Sequence, residues 1–190
     1  YKGELGDDPT PAGNAWRAQY SFNNRNWNAS VQRWVIDPGY DKSVAGGGSS
    51  WFRDGKAVNR INLYADWDIT HRFDGQLLER ELEFSLGFQG PKQSQFGINP
   101  LGRVRYWRGA MFNEHNLNLY GNFRPMADLQ LGTYMNFGQQ LDLRAARTGR
   151  RQMLGLWGNA NAGRGLTMDW DISRQRLRRD GDEGEVHEQK

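Results

Sequence analysis

Ile61-Asn62-Leu63-Tyr64-Ala65-Asp66-Trp67-Asp68-Ile69 is the stretch that decides the fold. Apolar side chains stand at every odd position and polar ones at every even position. That is the period of an extended strand, not of a helix. Successive side chains of a strand point to opposite faces. Ile61, Leu63, Ala65, Trp67 and Ile69 therefore share one face, and Asn62, Tyr64, Asp66 and Asp68 share the other.

The same alternation recurs on both sides of this stretch. Upstream, Trp16, Ala18, Tyr20 and Phe22 alternate with Arg17, Gln19 and Ser21. After a turn at 23–26, Trp27, Ala29 and Val31 alternate with Asn28, Ser30 and Gln32. Downstream, a turn at 73–76 leads to Leu82, Phe84, Leu86 and Phe88, set against Glu81, Glu83, Ser85 and Gly87. Leu117 to Phe123, Leu129 to Phe137, about 151–160 and Leu166 to Ile172 complete eight predicted strands. The segment 103–115 reads as an extension of the fifth strand or a separate short one.

The stretches 36–56, 89–102 and 138–149 are rich in glycine, proline or polar residues and read as loops, Gly46-Gly47-Gly48 among them. Turns at 23–26, 73–76, 124–127 and 161–165 are short. Short turns on one rim and long loops on the other is the layout of an outer-membrane barrel. The expected organisation is a flexible N-terminal segment over 1–13, barrel strands over 14–179, and a polar tail or truncated continuation over 180–190.

Composition agrees with a sheet of two unlike faces. The chain has 190 residues, 37% of them apolar, with 24 Gly and no Cys. Its mean hydropathy is -0.87, yet it carries 8 Trp, 7 Tyr and 9 Phe. It is too polar for a dense globular core and too aromatic for a disordered chain. It has no run of about 20 apolar residues, so no transmembrane helix. A transmembrane strand needs only every second residue apolar. The absence of cysteine excludes disulfides and thiolate metal sites. Basic residues number 25 against 22 acids, and they interleave without a dense basic tract, which argues against nucleic acid.

The fold class that follows is all-β: an antiparallel transmembrane barrel, or about eight strands of a larger one, in the bacterial outer membrane. Open strand edges in lipid cost several kcal/mol per unpaired group, so such a sheet has to close. Trp16, Trp27, Trp67 and Trp170 are the candidates for the lipid interface. Asp66, Asp68, Glu81, Glu83, Asp169 and Asp171 are the lumen-facing candidates, because charges at that density need water or Arg partners. Arg144, Arg147, Arg150 and Arg151, and Arg174, Arg176, Arg178 and Arg179, form two clusters suited to lipid or lipopolysaccharide phosphates, or to plain solvated strand ends. Arg105-Tyr106-Trp107-Arg108 combines aromatic faces with cations and is the candidate for a glycan or lipid headgroup.

No reaction is assigned. Glu79, Glu81 and Glu83 share a face, as do Asp66 and Asp68, but any polar strand face yields such pairs. His71, His115 and His187 form no ligand-spaced motif, so no metal is expected. There is no phosphate loop or nucleophile elbow, and no cofactor is expected. The expected role is transport, anchoring or structure. The alternatives are a soluble all-β carbohydrate-binding domain, a barrel enzyme such as a lipase or protease, and a subunit of a cell-envelope complex with a protein partner.

Trp27 to Tyr40 with its Asp37-Pro38-Gly39-Tyr40, Leu77 to Leu82, Asn116 to Leu119 and Leu166 to Arg174 together resemble a family of large bacterial outer-membrane barrels. Members of that family commonly carry an N-terminal domain like the family-nine carbohydrate-binding modules. The resemblance implies a natural protein several hundred residues longer, of which this chain holds part of the barrel. It places any glycan role on a module absent here and supplies no catalytic residues. Barrels of this kind usually end on a strand with a terminal aromatic, whereas this chain ends at Lys190.

Overall fold

The structure is a computed structural model that describes residues 15–36, 39–53, 57–163, 165–179 and 186–189. The expected N-terminal segment 1–13, Asp37 and Pro38 lie outside the described residues, as does the tail apart from 186–189. The strands are β1 (Ala15–Asn23), β2 (Trp27–Ile36), β3 (Tyr40–Phe52), β4 (Arg60–Arg72), β5 (Leu77–Gln89), β6 (Gln95–Trp107), β7 (Ala110–Met126), β8 (Leu129–Asp142), β9 (Arg147–Gly163), β10 (Leu166–Arg179) and the short β11 (Val186–Gln189). They form one sheet in strict sequence order, β1 to β11. Each neighbour pairs antiparallel. The two edges, β1 and β11, do not pair with each other, so the sheet is not closed within the described residues.

The expectation of about eight strands is corrected to eleven among the described residues, and the three expected long loops are mostly strand. Residues 40–52 are β3, residues 95–107 are β6, and β8 and β9 absorb 138–149 apart from the turn 143–146. Arg103 to His115 divides between β6 and β7 at the two-residue turn Arg108-Gly109. Both turn residues have positive φ, 46° and 87°, as a type I′ hairpin requires. With these strands in place every described connection is short, and the short-long alternation disappears.

Glycine accounts for the difference at β3. Gly46, Gly47 and Gly48 lie in the middle of β3. A methyl group on Gly47 would sit 2.7 Å from the Asn28 carbonyl oxygen, and one on Gly48 would sit 2.6 Å from that of Leu63. These glycines let neighbouring strands approach closely; they do not supply loop freedom.

The register carries the alternation of β4 across the sheet. Trp67 pairs with Ala45 and Leu82, and Leu63 with Ser49 and Leu86. Leu119 pairs with Ile98 and Met135, and Leu156 with Thr133 and Ile172. One continuous apolar face results, and it is the uncovered one: Leu156 is 50% exposed, Leu82 44% and Ile172 69%. Leu141, near a strand end, is the buried hydrophobic side chain among the described residues. By contrast the polar face shelters Asp68 and Glu114, at 8% and 2% exposure. Among the described residues the strands form one sheet, and no second layer covers its apolar face.

Candidate functional site

The polar face is the candidate site, and register decides who meets whom on it. Asp66 pairs with Glu83, and Asp68 with Glu81. Asp169 and Asp171 lie on the same face of β10, opposite Asn159 and Trp157. All six acids proposed from sequence therefore share the face opposite the apolar one. They are not equivalent.

Towards the ends of β4 and β5 nearest the 73–76 turn, acids and bases alternate across strands. Lys42 Nζ lies 2.9 Å from Asp68, Arg103 Nε 2.7 Å from Glu81, and Arg105 Nε 2.7 Å from Glu79. Glu114 adds a further carboxylate, 3.7 Å from Arg103 Nε, and its Oε1 accepts a 2.9 Å hydrogen bond from the Leu141 backbone N–H. Ion pairs of this kind hold strands in register as much as they prepare a surface for solutes.

The other half of the polar face is lined mainly by amides. Asn99, Asn118 and Asn136 form a row across β6, β7 and β8, with Asn136 donating to Asn118. Gln95, Asn122, Gln130 and Asn159 lie further along the same face. Asp169 accepts from Asn159, and Asp171 accepts from the Tyr134 hydroxyl at 3.1 Å.

Between the halves the ladder from β5 to β6 is interrupted. Pairing skips from Glu83–Leu101 to Leu86–Ile98, across Pro100, which has no N–H to donate. A hollow of about 280 Å³ opens there, lined by Asp66, Glu83, Asn99 and Tyr64 among others. Its two carboxylates favour cationic or hydrogen-bonding solutes over anions. Among the described residues no group of three or more His, Asp or Glu is arranged to hold a metal ion.

Aromatic rings fill the space that glycines leave on the directly opposed strand. On the polar face Tyr120 lies over Gly97, Trp157 over Gly132 and Tyr134 over Gly155. Gly155 thereby lets Tyr134 cross β9 and reach Asp171 on β10. Gly155→Val is expected to eject the ring and to destabilise the sheet by about 1–3 kcal/mol through overpacking. Urea titration would show the loss, and Tyr134→Ala in the same chain should relieve it. Gly102→Val should be milder, since a Cβ there meets only His115 Nδ1, at 3.8 Å.

The remaining sequence candidates fall as follows. Trp16, Trp27, Trp67 and Trp170 all lie on the apolar face. Trp16 and Trp27 stand at strand ends, whereas Trp67 is mid-strand in β4. The structure does not bring Arg105, Tyr106, Trp107 and Arg108 onto one surface. Arg105 faces the polar side beside Glu79, Tyr106 the apolar side, and Arg108 occupies the turn. Trp107 Nε1 and Arg108 Nη1 donate to the carbonyls of Leu143 and Arg144, at 2.9 and 3.1 Å, which ties two turns together. Lys42, Arg103 and Glu114 went unnoticed in the sequence. Lys42 falls in the stretch 36–56 that reads as loop, and the partners of the other two become visible only once β6 is recognised.

No family model matches this chain, and no curated protein matches it. Among solved structures it superposes on outer-membrane porin barrels. OccK10 (OpdN) of Pseudomonas aeruginosa matches with a TM-score of 0.63 at 12% identity, over 93% of this chain and 57% of that one. OccAB2 of Acinetobacter baumannii matches with a TM-score of 0.63 at 8% identity, over 92% of this chain and 52% of that one. The chain thus spans little more than half the length of either. The likeness is one of fold: an antiparallel sheet that follows the wall of a porin barrel.

Proposed function

We propose that this chain forms part of the wall of a bacterial outer-membrane channel, with its apolar face against lipid and its polar face along an aqueous path. One observation carries the reading: the continuous apolar face is uncovered, while the charged and amide face is the sheltered one. Water would penalise that arrangement and lipid rewards it. Ile61 to Ile69 is nine residues, and about 9–11 tilted strand residues cross a bilayer.

The superposition over about half of a porin supports an arc of a barrel of roughly 16–18 strands, wide enough for an aqueous channel. Further strands then satisfy the edges at β1 and β11. In this reading Asp66, Asp68, Glu81, Glu83, Asp169 and Asp171 line the path, and the role is passage of small hydrophilic solutes without a chemical step.

The lack of cysteine makes the test clean. Single cysteines at Leu63, Leu82 and Leu156 in lipid vesicles should resist a membrane-impermeant maleimide. Cysteines at Asn62, Asn118 and Ser173 should react readily. Equal labelling of both sets, with a chain that stays folded and monodisperse in plain buffer, would favour a soluble carbohydrate-binding domain instead.

A further inference from the structure

We propose that the polar face carries a stacking track for neutral saccharides, built by Tyr120, Tyr134 and Trp157 between two rows of amides. The inference rests on the channel reading above and names the class of solute that the path takes.

Register brings the three rings together. Tyr120 and Tyr134 are direct cross-strand partners. Trp157 pairs with Gly132, two residues from Tyr134 on β8. Each ring covers a glycine: Tyr120 covers Gly97, Tyr134 covers Gly155 and Trp157 covers Gly132. Gly97 and Gly155 are buried beneath their rings, while Tyr120 is 37% exposed. A methyl group on Gly132 would meet Cε2, Cζ2 and Nε1 of the Trp157 indole, and one on Gly155 would meet Cζ, Cε1 and Cε2 of Tyr134. Contact with several atoms of one ring at once places the ring face-on to the strand. One face therefore rests on the wall, and the other is turned to the aqueous path.

The rings lie over β6, β8 and β9. From β6 to β9 is roughly 14 Å at the usual strand spacing, a length that suits a short oligosaccharide.

Amides border the track on both sides. On one side runs the row Asn99, Asn118 and Asn136. On the other stand Asn122, Gln130 and Asn159, with Gln130 donating to Asn122 at 3.4 Å. An amide offers donors and an acceptor, which matches the double role of a hydroxyl. Asp171, the ladder partner of Trp157, accepts from the Tyr134 hydroxyl and keeps lone pairs for solute hydroxyls. Lys42, Arg103 and Arg105, with their carboxylates, stand towards the opposite rim.

A pyranose has an apolar C–H face and an edge of hydroxyls. The face stacks on Tyr or Trp, and the edge reaches the amides. Apolar surface with a few placed polar groups is how small-molecule sites fix orientation. Aromatic faces also attract cations, so a quaternary ammonium is the discriminating probe.

The test uses the whole chain in phosphatidylcholine vesicles, with maltotriose, mannitol and tetramethylammonium as probes and saturation-transfer NMR as the readout. Maltotriose should bind at least fivefold more tightly than mannitol, which has the hydroxyls without the ring face, and than tetramethylammonium. Tyr120→Leu/Trp157→Leu should weaken maltotriose at least fivefold. Asn118→Ala leaves the rings in place and should weaken it at least twofold, which keeps the test decisive if the ring variant loses its circular dichroism. Leu82→Ala on the apolar face should change nothing. No preference for maltotriose, or a preference that survives Asn118→Ala and a folded ring variant, overturns the track, while cysteine labelling reports separately on the membrane reading. Maltotriose binding by a chain that labels equally on both faces in plain buffer supports the track and overturns the membrane reading.

Discussion

Arginine at Leu156 is expected to cost the lipid-inserted sheet about 2–4 kcal/mol, the penalty for a cation at the lipid face near the bilayer midplane. Leu156 lies on the apolar face, is 50% exposed and pairs with Thr133 and Ile172. It has no acidic neighbour in those pairs. The matching change on the polar face, Asn118→Arg, meets Asn99 and Asn136 and is expected to shift stability by well under half as much. Reversible urea unfolding from lipid vesicles measures both. Equal effects, or a larger one at Asn118, would mean that the sheet turns its polar face outward.

Glu114→Leu is expected to be the second most damaging change. Pairing between β7 and β8 runs as far as His115 and Gln139. Beyond that point the strands separate, and β8 continues with β9 alone to Asp142. Glu114, 2% exposed, bridges the separation by accepting the Leu141 N–H. Its removal leaves a buried amide without a partner, at about 1–3 kcal/mol, and it also removes one of the two carboxylates near Arg103. Glu114→Gln keeps an acceptor oxygen and should recover most of the loss. Amide hydrogen exchange at Leu141 separates the two variants: fast in Leu, slow in Gln. If both variants exchange alike, the carboxylate does not cap this strand end.

The alternating segments were legible because a half-exposed strand has a period of two, which depends on no distant contact. Ile61 to Ile69, Leu82 to Phe88, Leu129 to Phe137 and Leu166 to Ile172 all lie in strands with the expected faces. β3 and β6 were missed for related reasons. Glycines at 46–48 and Pro100 are turn residues when read locally. In the sheet, the glycines accommodate close neighbours, and Pro100 occupies an interruption in the ladder. The hairpin at Arg108-Gly109 was obscured because only one of its two positive-φ residues is glycine.

The charged residues divide along the same line. That Asp66, Asp68, Glu81 and Glu83 share a face follows from parity within each strand once the apolar residues of both strands are set on one face, which the register shift between Thr70 and His71 allows. That Asp68 and Glu81 have cationic partners while Asp66 and Glu83 border a hollow does not, because it depends on β3 and β6 taking their places beside β4 and β5. The first arginine cluster is close in sequence but divided in space, Arg147 and Arg151 on the polar face and Arg150 on the apolar one, since strand residues of opposite parity face opposite ways.

By itself, then, the sequence determined an antiparallel sheet with one apolar and one polar face, because side-chain alternation is a local property of the extended backbone. Only the tertiary structure decided that the apolar face is the uncovered one, that eleven strands share the sheet among the described residues, and which acids acquire cationic partners. Those outcomes depend on cross-strand register, which arises from contacts between residues far apart in the chain.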